Sequence, residues 1–270
     1  MNSGADVLGV PPVSGGNAPL TGPKTRRFRN GLRRRALRVL SRSLLGTITH
    51  VRTTEPYAAL TFDDGPDPVS TPLVLDLLER HDAKATFFVL GRHAQRYPDL
   101  IARMAAAGHS VANHSFDHLR FPGIDHRERI AQILACERVI APYGQKLFRP
   151  PRGLQSISSR FDALLLGYRV VTWNVVVRDW ENRDPEWMVE RLEAEVKPGS
   201  IVLLHDCLFD ADNSAAVDRR PMLEALDMFL SRNRGALSYV TVPDLLACGT
   251  PHAASWFIRS DADWPLHDPS

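Results

Sequence analysis

From Tyr57 onward, short apolar runs alternate with longer amphipathic ones. Tyr57–Phe62 is almost wholly apolar and reads as a buried strand. Ser70–Thr71–Pro72 has the form of a helix start, with Ser70 as the N-cap, and the spacing predicts a helix from there to Arg80. The same reading predicts strands over Lys84–Leu90, His109–Asn113, Lys146–Arg149, Arg169–Val177, Ser200–His205 and Leu237–Val242. Helices are predicted over Pro98–Ala107, Asp125–Ala141, Ser158–Leu166, Pro185–Val196 and Pro221–Arg232. Gly108 and Gly167 stand just past two of those helix ends, where a left-handed residue stops the helix. Repeated strand–helix units imply a parallel sheet, and this many imply an α/β barrel or near-barrel.

The first part of the chain follows another pattern. Residues 1–23 are rich in Gly, Pro, Ser and Asn without periodicity, which predicts disorder. From Lys24 to Val51, eight arginines between Arg26 and Arg42 are threaded by Leu32, Leu37, Leu40 and Leu44 at near-helical spacing. This predicts a basic amphipathic segment that either lies on an anionic membrane or packs on the domain with its arginines in water. Charges interrupt every apolar run, so it is no transmembrane span. Arg26–Arg27 has the pair of a twin-arginine signal without the long apolar region that should follow. The expected organisation is a disordered and then basic segment over 1–50, one domain over 51–250 and a C-terminal tail over 251–270. The expected location is the cytoplasm or the inner membrane face.

Composition narrows the classes. With 270 residues and 44% hydrophobic content, the chain can bury a full core without disulfide staples. A net charge of +2 argues against nucleic acid as the main partner. Cys136, Cys207 and Cys248 are too scattered for a disulfide framework or a thiolate metal site, and a reducing compartment is the simplest inference.

The polar residues that carry chemistry collect at the predicted strand ends. Asp63–Asp64 closes the first strand before a Gly–Pro turn. Two adjacent carboxylates repel, so a nearby cation is their natural remedy. His114 and His118, four apart, would face one way on a helical turn and could grip one metal, although surface histidines near a turn would read the same. Arg149, Asp179 with Trp180, and His205 with Asp206 follow three further strands. Five polar clusters at five strand ends fit the barrel rule, by which chemistry sits at the C-terminal ends of the strands.

Thr–Phe–Asp–Asp–Gly–Pro, His–Ser–x–x–His, Arg–Pro–Pro–x–Gly, Asp–Trp and Leu–Leu–His–Asp occur in this order between Pro56 and Val242. In this the chain resembles the polysaccharide deacetylases of the NodB-homology group, carbohydrate esterase family 4. The resemblance implies a distorted barrel of about seven parallel strands. It implies a metal-dependent hydrolase that removes acetyl groups, chiefly N-acetyl, from an acetylated sugar, oligosaccharide or polysaccharide. Asp64, His114 and His118 would be the metal ligands, with zinc the first choice and cobalt, nickel or manganese as alternatives. Asp63 would be the general base, Arg149 would hold it, His205 would be the general acid, and Asp179 would orient His205. The backbone N–H of Arg152 would serve the oxyanion, and Trp180 and Leu203 would line the acetyl pocket. Ser115 would brace the histidine loop, and Cys207 would be an inert buried thiol.

Two departures bear on the substrate. Many relatives carry an aromatic residue at the place of Arg152 and an Asp at the place of Val176. A cationic rim of Arg152 and Arg178 would suit an acidic or lipid-linked sugar. The competing expectations are a deformylase of a lipid-linked precursor and an inactive carbohydrate-binding member of the family. The second is opposed by the completeness of the motif set.

Overall fold

The computed structural model describes residues 46–181, 183–209 and 217–256. The strands and helices run β1 (Thr47–Arg52), β2 (Tyr57–Asp63), α1 (Ser70–Arg80), β3 (Ala85–Val89), α2 (Gly91–Arg96), α3 (Pro98–Ala106) and β4 (Ser110–Asn113). They continue with α4 (His126–Ile140), β5 (Gly144–Phe148), α5 (Ile157–Leu165), β6 (Arg169–Val170), β7 (Val175–Val176) and α6 (Pro185–Glu195). The last are β8 (Ile201–His205), α7 (Arg220–Arg232), β9 (Ser238–Tyr239), α8 (Val242–Ala247) and β10 (Thr250–Ala254).

Seven strands pair in parallel in the order β6–β5–β4–β3–β2–β8–β7, with β9 beside the start of β2. This is the expected distorted barrel. Strand residues alternate between two cores because successive side chains point to opposite faces. Leu60, Phe62, Phe87, Val89, Val202 and Leu204 meet the helices in the larger cluster. Ala59, Phe88, Ala112, Ile201 and Leu203 fill the inner one. Each fully buried Leu, Val or Phe contributes about 1.5–3 kcal/mol of transfer free energy. The same alternation puts Thr61 and Asp63 on the inner face of β2.

Four expectations need correction. The long strand over Arg169–Val177 is two short ones. β6 pairs with β5, whereas β7 pairs with β8 at the opposite edge of the sheet. The residues between them cross the seam of the barrel, where Thr172 N–H donates to Ile48 O (2.8 Å) and Asn174 N–H to Ile201 O (3.1 Å). The strand over Leu237–Val242 shrinks to β9, because the Thr241 side chain accepts from Asp244 N–H and caps α8. At the start of α1, Asp67 Oδ1 rather than Ser70 takes the N–H groups of Val69 and Ser70 (both 2.9 Å).

The fourth correction concerns the local structure of residues 47–51 and 251–254. Residues 47–51 belong to a strand rather than to a basic helix, and residues 251–254 to a strand rather than to a tail. β1 and β10 form an antiparallel pair in which His50 lies opposite His252. β1 is rich in β-branched residues, which suit a pleated strand better than a helix. The arginines between Arg26 and Arg42 lie outside the described residues. Among the described residues, no helix is long and apolar enough to cross a membrane.

Candidate active site

The parallel strands end along one edge, and the polar clusters follow there. Asp63 is the last residue of β2, and Asp64 follows with φ 72°. That left-handed turn swings the second carboxylate toward the histidines. It requires the chain to pass closely over Asp206, since a Cβ on Gly65 would fall 2.0 Å from Asp206 Oδ2. Ser115, His118, Arg152 and Arg178 also have positive φ. Strained backbone of this kind persists only where the surroundings enforce it.

His114 and His118 converge, but not on a helical turn as the spacing suggested. They sit on a bent loop after β4. Asn113 Oδ1 accepts Ser115 N–H (2.8 Å), Ser115 Oγ accepts His118 N–H (3.2 Å), and Gln132 Oε1 accepts Asp117 N–H (2.8 Å). Ser115 thus braces the loop as expected.

Asp64 Oδ1 stands 3.4 Å from His114 Nε2 and 3.3 Å from His118 Nε2. The three potential ligand atoms lie within 4.8 Å of one another, and all three residues are buried. Asp64 Oδ1 accepts no hydrogen bond among the described residues. A buried carboxylate oxygen without a donor, facing two imidazole nitrogens, fits a divalent cation. His114 Nδ1 lies 2.8 Å from Arg149 O. A carbonyl only accepts, so Nδ1 carries the proton and Nε2 presents its lone pair. Asp64 is further fixed by Phe209 N–H on Oδ2 (3.1 Å) and by His93 Nδ1 on its main-chain oxygen (2.8 Å). Burial opposes its ionisation, but His118, His114 and His205 outweigh that and hold its pKa far below the ordinary carboxylate range.

On one side of this cluster, Arg149 Nη1 donates to Asp63 Oδ1 (2.6 Å) and to Thr61 Oγ1 (2.8 Å). Its Nε donates to Val171 O (3.2 Å) and its Nη2 to Thr172 O (2.9 Å). The guanidinium is fully buried and lies 4.0 Å from the centre of the Phe88 ring. Burial lowers the Arg149 pKa, and the Asp63 carboxylate opposes that shift.

On the other side, His205 Nδ1 is 3.0 Å from Asp179 Oδ1, and His205 N–H donates to Asp179 Oδ2 (2.9 Å). Arg219, which nothing in the sequence marked, donates from Nη2 to Asp179 Oδ2 (2.5 Å) and from Nη1 to Asp179 O (3.2 Å). Burial would raise the Asp179 pKa, but His205 and Arg219 hold it below its ordinary value. Burial likewise disfavours the His205 imidazolium, yet Asp179, with Asp64 and Asp63, raises its pKa.

The remaining candidates fall nearby. Leu203 is buried in the inner cluster, against which half-buried Trp180 packs, and Trp180 meets the His205 ring edge-on at 5.5 Å. Arg152 is half-buried in the turn Pro151–Gly153. Arg178 is paired with Glu181 at 2.5 Å, and Glu181 is shared with Arg183 (2.6 Å). Asp206 takes the Thr71 hydroxyl on Oδ2 (2.5 Å), and burial pushes its carboxyl up to about 7. It ties the start of α1 to the end of β8. Burial also pushes the Cys207 thiol well up, which suits an inert group.

A family model described as polysaccharide deacetylase matches residues 50–171. A chitooligosaccharide deacetylase of Sinorhizobium fredii is 41% identical over 166 residues, 60% of this chain and 77% of that one. A peptidoglycan-N-acetylglucosamine deacetylase of Bacillus cereus is 36% identical over 197 residues, 71% of this chain and 89% of that one. The chain belongs to the polysaccharide deacetylase family. Among solved members, the peptidoglycan deacetylase PdaC from Bacillus subtilis superposes with a TM-score of 0.64 at 31% identity, covering 73% of this chain and 93% of that one. The family is metal-dependent, and Asp64, His114 and His118 form its candidate ion site in this chain.

Proposed function

We propose that this protein is a metal-dependent deacetylase that hydrolyses N-acetyl groups on an oligosaccharide or polysaccharide of acetylated amino sugar. One observation carries the reading. A buried Asp64–His114–His118 cluster lies beside an arginine-held carboxylate, Asp63, which is the cross-strand neighbour of a carboxylate-held imidazole, His205. Metal-assisted hydrolysis of an amide uses three parts of this kind: a Lewis acid, a base for the attacking water and an acid for the departing amine.

Asp64 and the two Nε2 atoms would hold the ion, with zinc the first candidate. When bound there, a divalent ion supplies polarisation of the acetyl carbonyl and acidification of water. Asp63 takes a proton from the attacking water, and Arg149 keeps its carboxylate aimed. The Arg152 main chain, held at positive φ, is the candidate donor to the developing oxyanion. Trp180 and Leu203 offer the apolar wall for the acetyl methyl. As the C–N bond breaks, its electron pair stays on nitrogen, and His205 protonates that nitrogen. The products are acetate and a free amino sugar.

The test is acetate release from N-acetylglucosamine oligomers and from peptidoglycan by the zinc-loaded full-length chain. Turnover should vanish with a chelator and return with metal. Undiminished activity in metal-free protein would sink the reading. Release of formate from N-formyl sugars, with no acetate from any acetylated one, would replace it with a deformylase.

A further inference from the structure

Each acid–base carboxylate of the site has its own buried arginine. Arg149 holds Asp63, and Arg219, only 4% exposed, holds Asp179. We propose that Arg219 is a positioning residue for the reaction, which fixes Asp179 against His205 Nδ1 and so governs proton delivery to the leaving amine. The inference rests on the reading of His205 as the leaving-group acid.

The geometry favours this over a simple anchor. Arg219 reaches one residue twice, at Asp179 Oδ2 (2.5 Å) and at its main-chain oxygen (3.2 Å). Side chain and main chain of Asp179 are thereby locked together. Oδ2 also takes the His205 main-chain N–H (2.9 Å), while Oδ1 faces the imidazole (3.0 Å). A turn of the carboxylate would break the three contacts made by its two oxygens. In triads of this type, the carboxylate acts by holding the imidazole in one tautomer and orientation, so whatever holds the carboxylate acts on the imidazole.

Charge points the same way. With His205 protonated, the group His205–Asp179–Arg219 carries one net positive charge. After His205 gives its proton to the amine, the group is neutral. Without Arg219, the same step would leave Asp179 as an uncompensated buried anion, which resists the transfer. Asp63 and Asp64 also face His205 from the end of β2, and they are the same in every variant compared below.

The test compares Arg219→Gln and Arg219→Lys with the parent in the zinc-loaded full-length chain. On an N-acetylglucosamine oligomer, Arg219→Gln should lower kcat by about tenfold or more at nearly constant KM. On an activated aryl acetate, whose leaving group needs no proton, the loss should be much smaller. In a His205→Ala background, Arg219→Gln should add almost nothing, because the two residues act as one unit. Equal losses on both substrates, or full additivity in that background, would overturn the proposal in favour of an anchor for α7. If the Gln variant does not fold, Arg219→Lys decides, with a smaller loss confined to the amide expected and an equal loss on both substrates counting against.

A readout independent of turnover is the exchange-protected ring N–H proton of His205 seen by NMR. It should weaken or vanish in Arg219→Gln and persist in Arg219→Lys, and an unchanged signal in Arg219→Gln refutes the positioning role. Were the parent to release no acetate, the functional reading would fail while this resonance still tested the grip of Arg219 on Asp179.

Discussion

Asp63 and Asp64 are neighbours in sequence with opposite surroundings. Asp63 takes an arginine, whereas Asp64 keeps a buried oxygen without a donor. Substitution should separate them. Asp63→Asn should cut turnover by about 10²–10⁴ while metal analysis still finds one ion per chain. His114→Ala should lose the ion with the fold retained, because the strands do not depend on it. A metal-free Asp63→Asn protein would show that Asp63 is itself a ligand. For His205 the sign of the pH effect follows from its partners. Its pKa is raised above the ordinary 6.5, so the acid form persists past that value and is lost as pH rises through the raised one. The His205–Asp179 pair therefore stabilises the fold from the carboxylate range up to pH 6.5; it fades on the alkaline side as His205 loses its proton and in acid as Asp179 gains one. Amide turnover should decline only above pH 6.5, and Asp179→Asn should bring that decline to lower pH. An unmoved limb in that variant would mean another group sets it.

At the scale of elements, the sequence was most legible where an apolar run met a polar cluster. β2, β3, β4 and β8 fall where the pattern puts them, because buried strands and the polar clusters at their ends leave local marks. The failures have non-local causes. The break between β6 and β7 depends on which edge each half pairs with. β1 pairs with β10, a partner far away in sequence, and also bridges Val171. Arg219 sits in Asp218–Arg219–Arg220–Pro221, which reads as charged surface before a helix, and its acceptor lies 40 residues away. Truncation tests where the domain begins. Removing residues 1–45 should leave turnover of a soluble oligosaccharide nearly intact. Removing residues 1–52 also deletes β1, with buried Ile48 and Val51, and should lower stability by several kcal/mol in urea titration. If both truncations behave alike, β1 contributes little to the domain.

At the scale of the molecule, the seam of the barrel matters most. Where the chain changes edge between β6 and β7, Val171 O and Thr172 O both receive donors from Arg149, the residue that also grips Asp63. Joining the two edges and holding Asp63, the proposed base, are thus one set of bonds. In rising urea, amide protection over residues 171–174 and turnover should disappear at the same concentration. Activity that outlasts protection there would contradict the link. The arrangement would work as an interlock: with Asp63 as the proposed base, a chain caught half-open, whether newly made or damaged, should have lost the grip on that carboxylate and be inert.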